Sequence, residues 1–153
     1  MLLVLTLILA PGTADADVTV FTGVNSTPSN RAARGFAAGL SLLVLGFEFE
    51  YSSAIEDELL VAPSLQTGMF NVLVQTPVPL AGLQFYGTTG GGIYRERLVG
   101  LQETNLGMNF GGGVKIALAG PFRARIDYRV FSLRGQPLVA KLRRIYFGLN
   151  VAF

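Results

Sequence analysis

The sequence predicts an all-β chain, an eight-stranded antiparallel up-and-down transmembrane β-barrel, and three observations predict it. Half of the 153 residues are hydrophobic and only 14% are charged, where an ordinary soluble domain carries about 25% charge. Lipid rather than water is therefore expected over much of the surface. No window reaches the roughly 18 uninterrupted apolar residues of a membrane-crossing helix. The longest run, Phe36 to Phe47, is broken by Gly39, Ser41 and Gly46 and runs into Glu48 and Glu50. Finally, segment after segment shows one apolar residue parity and one small or polar parity, the two-residue period of a strand. Only helices and closed barrels satisfy every backbone N–H and C=O inside a bilayer, so an oily chain without a spanning helix points to the barrel.

In chain order, Leu2 to Ala10 is a short apolar run ended by Pro11-Gly12 and followed by the small-x-small signature Ala14-Asp15-Ala16. Residues 1–16 are expected to be a secretory signal peptide cut after Ala16, leaving residues 17–153 as the barrel domain. A first strand is expected at about Val18 to Gly23, too short for its facing to be assigned. In the second, Phe36, Ala38, Leu40 and Leu42 oppose Gly35, Ala37, Gly39 and Ser41. In the third, Leu45, Phe47, Phe49 and Tyr51 oppose Gly46, Glu48, Glu50 and Ser52. The fourth sets Phe70, Val72 and Val74 against Met69, Asn71, Leu73 and Gln75. The fifth sets Leu83, Phe85, Thr89 and Ile93 against Gln84, Tyr86, Thr88, Gly90, Gly92 and Tyr94.

The last three are the clearest. Leu106, Met108, Phe110, Val114, Ile116 and Leu118 oppose Gly107, Asn109, Gly111, Gly113, Lys115 and Ala117. Phe122, Ala124, Ile126, Tyr128 and Val130 alternate with Arg123, Arg125, Asp127, Arg129 and Phe131. Ile145, Phe147, Leu149, Val151 and Phe153 alternate with Arg144, Tyr146, Gly148, Asn150 and Ala152. Short turns are expected at Leu43-Val44, Pro77 to Gly82 and Ala119-Gly120-Pro121, and longer loops at Asn25 to Arg34, Ser53 to Ser64, Arg95 to Thr104 and Leu133 to Lys141. Short periplasmic turns alternating with long extracellular loops are the habit of bacterial barrels, which also leaves both termini in the periplasm.

A soluble barrel would share this period with the opposite sense, apolar inside and polar outside. Side-chain volume decides between them. Eight strands enclose a space barely wide enough for side chains. The Gly, Ala, Ser and Asn parity fits such a lumen, whereas the Phe, Leu, Ile and Val parity does not, so the bulky face is assigned to lipid.

The segments "RRIYFGLNVAF", "FYGTTGGGIYRE" and "NLGMNFGGGVKI" carry a resemblance that spans Val18 to Phe153. The chain resembles the small outer-membrane β-barrel family of opacity-type surface antigens and OmpA-like transmembrane domains, departing from it in having no tryptophan. The resemblance implies a location in the bacterial outer membrane. It also implies an assembly signal in Tyr146, Phe147, Leu149, Val151 and Phe153, presented to the outer-membrane barrel assembly machinery.

Cysteine and histidine are both absent. That excludes disulfides, thiol nucleophiles, Ser-His-Asp catalysis and His- or Cys-ligated metals. The expected catalytic, metal and cofactor residues are accordingly none. Charges on the narrow face are the sharpest feature. Glu48 and Glu50 lie four strands from Arg123, Arg125, Asp127 and Arg129, directly across an eight-stranded ring, while Lys115 and Arg144 flank the latter strand. These eight residues are expected to form a lumenal ion-pair network that plugs the barrel. Glu48 and Arg125 start at comparable depth, with Glu50 and Arg129 as substitutes.

Loops on a rigid scaffold are the expected place for an extracellular ligand. They include the acidic Glu56-Asp57-Glu58, then Arg95 and Arg97, then Arg134, Lys141 and Arg143, whose charges suit lipopolysaccharide phosphates. The expected function is that of a non-enzymatic structural or surface-interaction protein, antigen- or adhesin-like. A lipid-modifying enzyme or a narrow pore is the alternative. Membrane lipids and lipopolysaccharide are the expected partners, a monomer the expected state, and no nucleic acid is expected.

Overall fold

The computed structural model describes residues 14–153. The apolar run Leu2 to Ala10 lies outside the described residues, and the expected cleavage after Ala16 falls three residues into the first strand. Eight strands follow one another: β1 (Ala14–Asn25), β2 (Arg31–Leu42), β3 (Leu45–Ala54), β4 (Ser64–Gln75), β5 (Leu83–Leu98), β6 (Leu101–Ala119), β7 (Phe122–Leu133) and β8 (Lys141–Ala152). Each pairs antiparallel with its chain neighbours, and β1 pairs with β8 to close the ring. Closure runs to the last residue, where Ala16 and Phe153 exchange backbone hydrogen bonds of 3.1 and 2.9 Å. Among the described residues no strand is left unpaired at a sheet edge.

The side chains divide as their volumes require. Phe47, Phe70, Phe110 and Phe147 stand on the outer wall, with Phe70 71% exposed, while Arg125, Arg129 and Glu50 inside are 0% exposed. This inversion of the usual burial order is stable only where hydrocarbon, not water, covers the wall. In β1, which the sequence left unassigned, Val18 and Val20 are exposed and Asp17, Thr19 and Phe21 are buried. The strand is also longer than its apolar residues suggest, because pairing with β2 continues down to Ala14.

The end that carries Ala14 and Phe153 has the connections 43–44, 76–82 and 120–121. Ala81 and Gly82 make the tight turn of the middle one, both at positive φ, with Leu80 bridged to Leu83. The distal end has 26–30, 55–63, 99–100 and 134–140. The third of these corrects the sequence reading, which placed a loop from Arg95 to Thr104. Those residues continue β5 and β6 as a hairpin closed by Val99-Gly100, both at positive φ as a type I′ turn requires. The inward parity persists through Tyr94, Glu96 and Leu98, all buried. Only the outward residues turn polar, because the hairpin rises past the apolar band. Lys141 and Arg143 are likewise outward residues of β8 rather than loop residues.

Candidate functional site

The interior of the barrel is built in layers, each dictated by which residues its strands point inward. β3 and β7 are on opposite walls, and their long charged side chains meet on the axis. Arg125 donates from Nη1 and Nη2 to the two oxygens of Glu48, the second bond 3.3 Å long. Arg129 donates from Nη2 to Glu48 Oε1 at 2.9 Å, and its Nη1 lies 2.9 Å from Glu50 Oε2. Glu50 also pairs with Arg144 of β8. Asp127 holds Arg129 at 2.9 Å through Nε and Arg125 at 3.4 Å. Nearer the termini, Lys115 of β6 pairs with Asp17 of β1.

The network joins the carboxylates Glu48, Glu50 and Asp127 to the cations Arg125, Arg129 and Arg144, and Asp17–Lys115 stands beside it as a separate pair, so that together they carry no net charge. That balance matters because a buried ion is tolerable only with a close partner and its remaining hydrogen bonds made. Neutral groups make many of them. Tyr86 donates its hydroxyl proton to Asp127 and accepts from Arg125 Nε at 2.7 Å. Arg144 donates to Ser52 Oγ at 2.6 Å, and Ser52 and Thr67 share a bond of 2.8 Å. Thr19 accepts from Arg125 at 3.3 Å and from Asn150 at 2.9 Å.

Above this layer lie aromatic rings. Phe21 stacks on Tyr146 with centroids 4.1 Å apart, and the Arg144 guanidinium sits 4.6 Å from the Phe131 ring centre, close enough for a cation–π attraction. Leu65, Met69, Tyr94, Leu133 and Leu142 fill the distal end. Small residues make this crowding possible. Gly148 faces Phe21 across the β1–β8 pair, where an added Cβ would fall 2.7 Å from Thr19 Cγ2.

Of the residues singled out from the sequence, Glu48, Glu50, Arg125, Asp127, Arg129 and Arg144 are brought together, and Lys115 pairs apart from them with Asp17. Arg123 is not. It lines a cavity of about 120 Å³ at the terminal mouth with Asp15, Ser41, Gln75 and Gln84, and it makes no ion pair among the described residues. It lies one step below Arg125 on the same face, too near the mouth to reach the axis. Asp17 and Tyr86 are members that sequence reasoning left out. The outward parity of Val18 and Val20 was the available signal for Asp17. Among the C-terminal residues, Phe147, Leu149 and Phe153 are exposed on the outer wall and Val151 partly so, whereas Tyr146 points into the lumen at 0% exposure.

The arrangement fills the middle of the lumen with paired, buried charge. Asp17, Glu48, Glu50 and Asp127 are each held by at least one guanidinium or ammonium group, and Arg125 and Arg129 are shut off from both mouths.

No family model and no curated protein matches the chain. Solved structures do. The N-terminal β-barrel domain of Pseudomonas aeruginosa OprF superposes with a TM-score of 0.71 at 14% identity, over 93% of this chain and 99% of that one. Neisserial surface protein A gives 0.68 at 14% identity, over 91% and 95%. The outer membrane enzyme PagL gives 0.53 at 12% identity, over 88% and 98%. The fold is that of the small eight-stranded outer-membrane barrels. It serves an enzyme as well as surface proteins, so the fold by itself decides nothing about catalysis.

Proposed function

We propose that the chain is a non-enzymatic protein of the bacterial outer membrane, structural or surface-interacting in the manner of an antigen or adhesin, acting as a monomer. The observation that carries the reading is the inverted burial. Buried arginines and exposed phenylalanines suit a barrel standing in hydrocarbon with a filled lumen. Its termini lie on the periplasmic side and its distal loops face outward, as in bacterial barrels generally. The outward-facing C-terminal residues, ending on Phe153, are offered to the barrel assembly machinery, and membrane lipids and lipopolysaccharide surround the wall. A pore is disfavoured by the packed ionic layer. Lipid modification is disfavoured by the absence of histidine and by the pairing of Asp17, Glu48, Glu50 and Asp127 with cations.

Fractionation of expressing Gram-negative cells tests this reading. The protein is expected in the outer membrane, without residues 1–16, and migrating faster on gels before boiling than after, as closed barrels do. Recovery as a soluble periplasmic protein would contradict it.

A further inference from the structure

The outer wall is charged at one end only. Its terminal rim is apolar, with Leu45, Leu83 and Phe122 as outermost side chains, Leu45 and Phe122 exposed and Leu83 partly so. Its distal rim is basic: Arg34 precedes Phe36 on β2, Arg95 and Arg97 follow Ile93 on β5, and Lys141 and Arg143 precede Ile145 on β8. Among the described residues no Asp or Glu takes an outward position on any strand. Ordinary solvated charge would mix the signs.

The cations are densest over β6, β7 and β8. Lys141 lies across from Ser132 and Arg143 across from Val130. Arg134, just past the end of β7, lies back along the outer wall with its Nη2 3.7 Å from Met108 Sδ. Arg134, Lys141 and Arg143 are all exposed, and none forms an ion pair among the described residues. Tyr128, 46% exposed, stands just below them beside Ile145, at the level where tyrosines meet headgroups. The acidic run Glu56-Asp57-Glu58 belongs to the β3–β4 loop, across the ring, and on this side the carboxylates of Glu103 and Glu96 are taken up by the backbone N–H groups of Gln136 and Leu138 at 3.2 and 2.8 Å.

We propose that Arg134, Lys141 and Arg143 form a docking surface for the phosphate groups of a phosphorylated outer-leaflet lipid of the lipid A class. The inference rests on the outer-membrane reading above and deepens it. The cations sit where the apolar wall ends rather than at loop tips, which is the depth of a lipid phosphate and not of a soluble ligand. Two guanidinium forks donate to paired phosphate oxygens and the lysine adds a mobile point charge. Partial removal from water by the lipid around them lengthens the reach of their field.

The test uses the full chain refolded in phosphatidylcholine nanodiscs, titrated with bis-phosphorylated lipid A and with its dephosphorylated counterpart. The wild type is expected to bind the phosphorylated lipid about tenfold or more tightly, and R134Q/K141Q/R143Q to lose that preference. R95Q/R97Q, on β5, should keep it within about twofold. Heat-dependent gel mobility verifies that each variant is folded. Equal binding of both lipids by the wild type, or an undiminished preference in the triple variant, would overturn the proposal. So would an equal loss in R95Q/R97Q, which would make the belt a diffuse field. Displacement of the lipid by inositol hexakisphosphate would assign the surface to a soluble polyanion and overturn it too. Binding in nanodiscs is independent of cellular location, so failure here and failure of the fractionation are separate results.

Discussion

Replacing Glu48 by alanine is expected to destabilise the barrel by about 3–5 kcal/mol, because it leaves buried cations without their carboxylate. Glu48 holds two guanidinium groups at once, Arg125 and Arg129. Arg129 retains Glu50 and Asp127, but Arg125 is left with Asp127 alone, at 3.4 Å, in a layer that now carries one excess positive charge. Adding Arg125→Ala should cost less than the sum of the two single changes, with a coupling on the order of 1–3 kcal/mol, since the orphaned partner has gone. Arg123→Ala, on the same strand but outside the network, should stay within about 0.5 kcal/mol of the wild type. Urea unfolding from lipid vesicles measures all four. Strict additivity of the Glu48 and Arg125 changes would mean that the pair contributes nothing as a pair.

Gly113→Ala is expected to rank beside it, at about 3 kcal/mol. A Cβ there would come within 2.2 Å of the Ile126 carbonyl oxygen and 2.4 Å of the Tyr86 hydroxyl. The carbonyl belongs to the β7 backbone and has nowhere to go. The hydroxyl is the link between Asp127 and Arg125, so moving it breaks charge-assisted bonds that are worth more than neutral ones. Gly68→Ala is the matched control. Gly68 lies on the lipid face of β4, where an added Cβ meets nothing within 4 Å, and the change should be neutral to within about 0.5 kcal/mol. Comparable losses at Gly113 and Gly68 in the same unfolding assay would mean that crowding of the lumen is not what selects glycine.

The barrel was legible because two physical demands act on opposite parities of one strand. Lipid requires bulk and oil at Phe47, Phe110 or Phe147, and a narrow lumen requires Gly, Ala or a paired charge beside them. Where one demand lapses, the pattern weakens. Past Ile93 the outward residues no longer face hydrocarbon, and Arg95, Arg97, Gln102 and Thr104 resemble a loop. The strand persists there because Tyr94, Glu96 and Leu98 still pack inward. In β1 the outward residues Val18 and Val20 are few, so the inward place of Asp17 was not assigned. Parity also says which charges share the lumen without saying which of them meet. That depends on tilt and shear, which set the height of β3 against β7 and bring Glu48 to Arg129 as well as to Arg125, while Arg123 stays at the mouth.

The central claim is that lipid covers the bulky face and a packed, dry lumen lies behind the other. Because the chain has no cysteine, single substitutions report on each face without background. Leu40→Cys and Phe47→Cys place a thiol on the outer wall, and Ala37→Cys and Ser52→Cys place one of similar size in the lumen. Spin labels at positions 40 and 47 in refolded, membrane-inserted protein should be relaxed strongly by oxygen and weakly by a water-soluble nickel chelate. Unlabelled thiols at positions 37 and 52 should resist a small water-soluble maleimide until the barrel is unfolded. Rapid maleimide reaction at 37 and 52 with protection from oxygen at 40 and 47 would reverse the assigned faces and contradict the account.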